Sequence, residues 1–101
     1  MSHAEGYQTT ASGFEAHAEG LETVASEAAA HAEGSGTKAN GYYAHAEGYL
    51  TEVDAATEAA HAEGCETKVY GSAAHAEGYG TIAKGGASHA EGEGTIAADE
   101  A

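Results

Sequence analysis

The sequence predicts an all-β fold: a parallel β-solenoid of about seven coils, each with two short strands, in a single repeat domain over residues 1–101. A tetrapeptide, His-Ala-Glu-Gly, recurs every 14 residues, with one interval of 16. Fifteen glycines are spread through the repeats, and small residues stand at alternate positions within them. A fixed period of this kind indicates stacked structural units. The repeats begin at His3, His17, His31, His45, His61, His75 and His89.

The length and the composition of the 14-residue repeat unit exclude helical alternatives. A helical repeat needs a helix pair, roughly 30 residues or more. A coiled coil of two heptads would lack apolar a and d positions, and each glycine would cost a helix about 1 kcal/mol. Two short strands and two tight turns fit 14 residues. Because stacked strands lie about 4.8 Å apart, seven coils predict a rod of roughly 29 Å.

The apolar composition excludes a conventional aliphatic core. Of the apolar residues, 26 are Ala and only nine are Leu, Ile, Val, Phe or Met. Such a composition is by itself typical of disorder, but the fixed repeat overrides that interpretation.

The charge of the chain excludes several classes of partner. Seventeen acidic residues face three lysines, and the formal net charge is −14. Nucleic-acid binding and docking on an anionic membrane both need a basic surface, so we expect neither. No apolar run is long enough to span a bilayer and no signal peptide is recognised, so we expect no membrane insertion.

Alternation along each strand assigns an inner and an outer side. In the first unit Ser2, Ala4 and Gly6 share one side of the first strand, and His3 and Glu5 share the other. On the second strand the residues Thr, Ala or Val, and often Gly, form the inner side in every unit. A coil of 14 residues encloses little space, so the small side is predicted to face inward.

The outward His and Glu residues form what we call the His–Glu face. Its composition does not vary, whereas the outer side of the second strand varies freely, as a solvated surface does. A roll this thin is not expected to be stable alone. We therefore predict that the His–Glu face is an oligomer interface. It consists of His3, Glu5, His17, Glu19, His31, Glu33, His45, Glu47, His61, Glu63, His75, Glu77, His89 and Glu91.

The pattern Ser-His-Ala-Glu-Gly-x-x-Thr-x-Ala-x-Gly resembles the 14-residue head repeat of trimeric autotransporter adhesins, the YadA-like family, and related repeats of phage tail proteins. The resemblance covers residues 2–98. It implies a left-handed parallel β-roll, three of which pack around a threefold axis as a homotrimer. The family often has Val and Ile where this chain has His and Glu, so a polar network must replace the apolar pair.

The resemblance also implies a function. It points to a non-catalytic structural or adhesive module of a bacterial surface protein or a phage tail, located at the cell surface or on a virion. Its partners would be further copies of the chain and a host surface, extracellular-matrix protein or glycan. An engineered or consensus assembly scaffold would carry the same sequence pattern and remains an alternative.

The His-x-Glu pairs admit two chemical interpretations. Imidazole and carboxylate are good metal ligands, and alternate strand residues point the same way. Closed metal sites seldom recur at every coil, however, so a structural His–Glu hydrogen-bond ladder is the favoured prediction, with no metal or other cofactor. All fourteen residues of the His–Glu face remain the metal candidates of the second interpretation.

Catalysis and ice binding find less support. Cys65 has no second cysteine for a disulfide, and a nucleophilic triad would not be repeated seven times, so no enzyme activity is expected. A threonine in each coil could form an ice-binding surface only if its hydroxyl faced solvent, and the face assignment buries it.

The sequence makes three further predictions, which concern the insertion, the C-terminal end and the histidine pKa. The two extra residues of the 16-residue unit, near 55–58, should bulge from the turn after its second strand. Acidic side chains at the C-terminal end should repel another rod. A nearby carboxylate should raise the pKa of each histidine while burial lowers it; if the carboxylate effect is the larger, the trimer should be most stable at mildly acidic pH, roughly 5 to 6.5. The C-terminal acids are Glu91, Glu93, Asp99 and Glu100.

Overall fold

The computed structural model describes residues 1–98, which form an all-β parallel solenoid of seven coils. Asp99 and Glu100 lie outside the described residues. One sheet contains the strands that begin at the histidines: β1 His3–Tyr7, β3 His17–Leu21, β5 His31–Ser35, β7 His45–Tyr49, β9 His61–Cys65, β11 His75–Ala76 and β13 His89–Ala90. The second sheet contains β2 Thr10–Ala11, β4 Val24–Ala25, β6 Lys38–Ala39, β8 Glu52–Val53, β10 Lys68–Val69, β12 Ile82–Ala83 and β14 Ile96–Ala97.

Every strand pairs in parallel with the equivalent strand of the next coil, so like residues stack on like. His17 lies opposite His31, and Glu19 lies opposite Glu33. The molecule measures 35 × 21 × 12 Å. These findings confirm the predicted fold class. Within residues 1–98 we find no helix with the length and apolar character needed to cross a bilayer.

Alanine and threonine fill the interior, as the alternation predicted. Thr23, Thr37 and Thr51 are fully buried, and Val53 and Val69 are the largest buried aliphatic side chains. A 14-residue coil leaves room for little more than a methyl group from each inward position. The buried alanines are Ala16, Ala18, Ala25, Ala30, Ala32, Ala39, Ala44, Ala46, Ala60, Ala62, Ala74, Ala76, Ala83 and Ala90.

The glycine of the tetrapeptide does not lie inside, contrary to the face assignment that placed Gly6 there. Gly48 is exposed and has a φ of 111°. A Cβ at this position would overlap the carbonyl oxygen of Gly64 in the next coil. Glycine is therefore required by the backbone conformation and by the close approach of adjacent coils.

Each coil turns its corners through residues in the left-handed region, several of which are not glycine. Glu66 and Leu50 have φ values of 57° and 54° at the first corner, and Ala73 has 57° at the second. The first corner is a glycine in other coils, such as Gly80 with φ 65°. Hydrogen bonds between coils, such as Glu66 N–H to the Tyr49 carbonyl at 2.8 Å, hold these corners in place.

The 16-residue unit keeps its register, and its two extra residues lie in the turn after β8. Ala55 and Ala56 are exposed there, between Asp54 and the buried Thr57. The Asp54 carboxylate accepts a hydrogen bond from the Ala56 N–H at 3.2 Å, and the Thr57 hydroxyl donates to the Asp54 carbonyl at 2.8 Å. The prediction that the insertion bulges from this turn is confirmed.

Candidate functional site

The first sheet brings all fourteen predicted site residues together in two columns. Each tetrapeptide opens a strand, so its His and Glu project to the same outer side two residues apart. From His17 to His89 the imidazole rings of adjacent coils stack with centroids 4.6–4.9 Å apart, the spacing of the strands themselves, whereas the His3 ring is tilted by 35° to that of His17. The predicted outer placement of these columns is confirmed. The stacking of the rings was not predicted, although the fixed period contains the signal for it.

Each central carboxylate lies between two imidazoles. Glu47 has one oxygen 3.7 Å from the Nε2 of His45 and the other 3.7 Å from the Nε2 of His61. Glu63 repeats the arrangement at 3.9 Å to His61 and 3.3 Å to His75. The face is therefore a continuous alternation of imidazole nitrogens and carboxylate oxygens that runs along the rod.

The predicted hydrogen-bond ladder is not formed, although its members lie side by side. All of the Nε2–oxygen separations, at 3.3–3.9 Å, exceed the 2.7–3.2 Å typical of N–H···O hydrogen bonds. The shortest, to His75, also makes no hydrogen bond. Five Nε2 atoms are buried without any hydrogen-bond partner, because the strand spacing sets the separation and the flanking carboxylates cover the nitrogens. They belong to His17, His31, His45, His61 and His75.

The carboxylates interact strongly with one another. A hydrogen bond with Glu33, which requires a proton between the two groups, is the main cause that raises the pKa of Glu47 to about 7. Burial and Glu63 raise it further. The same bond with Glu47 lowers the pKa of Glu33. The proton is therefore shared by the pair.

The alternation continues along the column. Burial opposes the ionisation of Glu63, but hydrogen bonds from Glu77 and Glu47 outweigh it and lower the pKa of Glu63. A hydrogen bond with Glu63, followed by one with Glu91, raises the pKa of Glu77. From Glu33 to Glu77 the pKa shifts of the carboxyls therefore alternate in direction.

Burial decides the protonation of the central histidines. Desolvation, followed by repulsion from neighbouring imidazoles, lowers the pKa of His45 and of His61. The carboxylates beside them raise the pKa, but by less. The premise that the carboxylates on balance raise the histidine pKa is therefore wrong for His45 and His61, because desolvation is the larger effect. These imidazoles are neutral at pH 7 and keep a nitrogen lone pair.

The remaining candidates offer less chemistry. Cys65 is a free, half-buried thiol at the end of β9. The hydroxyls of Thr67 and Thr81 point inward and donate to the carbonyls of Glu63 and Glu77, at 3.1 and 3.0 Å. A threonine column directed into the core cannot present an ice-binding surface.

The second sheet carries a shallow depression of about 250 Å³ beside Lys38, Glu52 and Lys68. Its walls come from the variable outer positions of β6, β8 and β10 together with the corner residues Gly36, Leu50 and Glu66, and its lining differs from one coil to the next. The depression lacks the repetition that characterises the His–Glu face.

No protein-family model, curated protein or solved structure matches this chain. The geometry of the His–Glu face is therefore the main guide to the function of this protein.

Proposed function

We propose that the chain is a non-catalytic structural module that assembles as a homotrimer through the His–Glu face. Its setting would be a bacterial surface adhesin or a phage tail-type protein, where a stiff acidic rod spaces or presents a binding surface to a host protein or glycan. A designed assembly scaffold would use the same face in the same way.

The continuity of the face through the irregular unit is the observation that carries this proposal. Two extra residues enter between β8 and β9, yet the His45 and His61 rings remain stacked at 4.6 Å. The insertion occupies a turn instead of the His–Glu strand. An uninterrupted face offers the same contact to another chain at every coil, which is what repetitive assembly requires.

Exposure and thickness support the same proposal. Every coil supplies one His and one Glu to this face. In the single chain about a third of each central side chain is still exposed. The rod is only 12 Å thick along its shortest axis, and its core consists mainly of alanine and threonine. Packing three such rods together would bury side-chain surface that one rod leaves in water.

Sedimentation equilibrium tests the proposal. We expect the mass of a trimer in the parent protein over a range of concentrations. A tryptophan in place of His61 should weaken the trimer because the larger ring obstructs the face. Lys68→Trp, in the same coil but on the second sheet, is the matched control and should leave the trimer intact.

Two results would contradict the proposal. One is a monomer that retains the β-sheet circular dichroism spectrum at high protein concentration. The other is a trimer that Lys68→Trp disrupts and His61→Trp does not, which would place the interface on the second sheet.

A further inference from the structure

The buried Nε2 atoms on the His–Glu face have no hydrogen-bond partner, which indicates that they bind a partner of another kind. Buried polar atoms in native proteins are almost always satisfied, and an orphaned one often marks a bound water or ion. An Nε2 atom without a hydrogen-bond partner recurs at the equivalent position in five consecutive coils. Because these nitrogens have almost no solvent-accessible surface, a side chain of another molecule cannot reach them, whereas a small ion between nitrogen and oxygen can.

The separations on this face suit metal coordination better than hydrogen bonding. With metal–nitrogen and metal–oxygen bonds of about 2.0–2.2 Å, two ligand atoms of a tetrahedral site lie roughly 3.4 Å apart. The Nε2–carboxylate separations along the face are 3.3–3.9 Å. In groups such as His31–Glu33–His45, all the ligand atoms lie within 4.8 Å of one another.

We propose that the His–Glu face binds divalent transition-metal ions of the zinc class, each held between a carboxylate and the imidazole Nε2 atoms beside it on the same chain. Neutral imidazole with carboxylate selects Zn²⁺, Co²⁺ or Ni²⁺ over Mg²⁺ and Ca²⁺, which prefer all-oxygen sites. Bound cations would also offset the repulsion within the carboxylate column. This inference goes beyond the proposed assembly and does not require it.

The groups overlap along the chain, which sets the capacity of the face. From His3 to His61 each group shares a histidine with the next group, so two such neighbours cannot both be filled with the same ligands. Three groups share no residue with one another, and we therefore expect about three ions per chain. These groups are His3–Glu5–His17, His31–Glu33–His45 and Glu63–His75–Glu77.

Calorimetric titration of the chelator-stripped full chain with Zn²⁺, in excess Mg²⁺ at neutral pH, tests the proposal. The parent should bind about three Zn²⁺ per chain. A histidine variant that changes one residue in each of these three groups, and in the overlapping groups His17–Glu19–His31 and His45–Glu47–His61, should bind at least about tenfold more weakly. It combines His17→Gln, His45→Gln and His75→Gln.

A charge control separates ligation from simple attraction of counterions. The variant Glu22→Gln, Glu52→Gln and Glu66→Gln removes three acids outside the His–Glu face and should bind Zn²⁺ as the parent does. The histidine variant keeps all the acidic charge and should not. The reverse order of affinities would overturn the proposal.

Cobalt spectroscopy on the parent decides the matter if the histidine variant does not fold. Co²⁺ in an imidazole–carboxylate site of low coordination number should give intense visible d–d bands that Zn²⁺ abolishes. The weak spectrum of hydrated Co²⁺ would overturn the proposal.

Sedimentation in chelator and in Zn²⁺ distinguishes the metal-site proposal from the assembly proposal. A trimer that binds no Zn²⁺ contradicts only the metal site, and a monomer that binds Zn²⁺ contradicts only the assembly.

Discussion

Removing one charge from the middle of the carboxylate column should stabilise the protein. The change is Glu47→Gln, at the position where the hydrogen bond with Glu33, burial and the neighbour Glu63 raise the pKa to about 7. A carboxyl whose pKa is higher in the folded state stabilises folding in its protonated form. That contribution is fully present below the unfolded pKa of 4.5 and is lost as the pH rises through about 7.

The magnitude follows from the size of the pKa change. A rise from 4.5 to about 7 corresponds to about 3 kcal/mol at 1.36 kcal/mol per pH unit. A third of the Glu47 side chain is exposed, and solvent screening reduces this to about 1 kcal/mol. Near pH 8 the variant should therefore be about 1 kcal/mol more stable than the parent, and near pH 4.5 the two should be equal.

Urea denaturation in the presence of a chelator, at both pH values and one protein concentration, measures the difference. The histidines are the same in both proteins, so their own contributions cancel. Glu52→Gln is the matched control, since Glu52 lies in the same coil but stands opposite Lys38 and Lys68 in the strand register of the second sheet. It should lose up to about 0.5 kcal/mol near pH 8. If Glu47→Gln is as destabilising there as the control, the account of the column is wrong.

Three further predictions concern the backbone and the ends of the rod. Gly48→Ala should cost about 3 kcal/mol in urea denaturation because its Cβ meets the backbone of the next coil, whereas Gly80→Ala, which meets no atom within 4 Å, should cost only about 1 kcal/mol. Deleting residues 55–56 should leave the melting temperature nearly unchanged, since both lie in an exposed turn, and a collapse of the fold would contradict the assigned site of insertion. Replacing Glu91 and Glu93 with Gln should promote end-to-end filaments, visible by light scattering, because unpaired strand edges lose a repulsive charge; a variant that scatters as the parent does would refute this.

Much of the fold follows from residue spacing alone. The 14-residue period places equivalent residues in parallel register, and alternation along a strand puts His3 and Glu5 on one side and Ala4 on the other. The small volume of one coil then requires alanine and threonine inside. The position of the insertion was predictable for the same reason, because the ladder on both sides of it had to keep its register.

The role of the tetrapeptide glycine was not predictable from that pattern. Alternation placed Gly6 inside because it is small, while the backbone approach between coils and a φ of 117° are what require it. The left-handed corners at Glu66 and Ala73 are also absent from the sequence signal, since neither residue type favours that conformation. Hydrogen bonds from adjacent coils impose it.

For the candidate site, the sequence by itself determined which residues share a face, because strand alternation and a constant period leave no other arrangement for His45 and Glu47. Only the tertiary structure decided how they interact. Each Nε2 lies 3.3–3.9 Å from the nearest carboxylate oxygens, too far for a regular hydrogen-bond ladder, while the contact with Glu33 raises the pKa of Glu47. Desolvation, which depends on how closely the coils pack, then lowered the pKa of His45 and left its imidazole neutral.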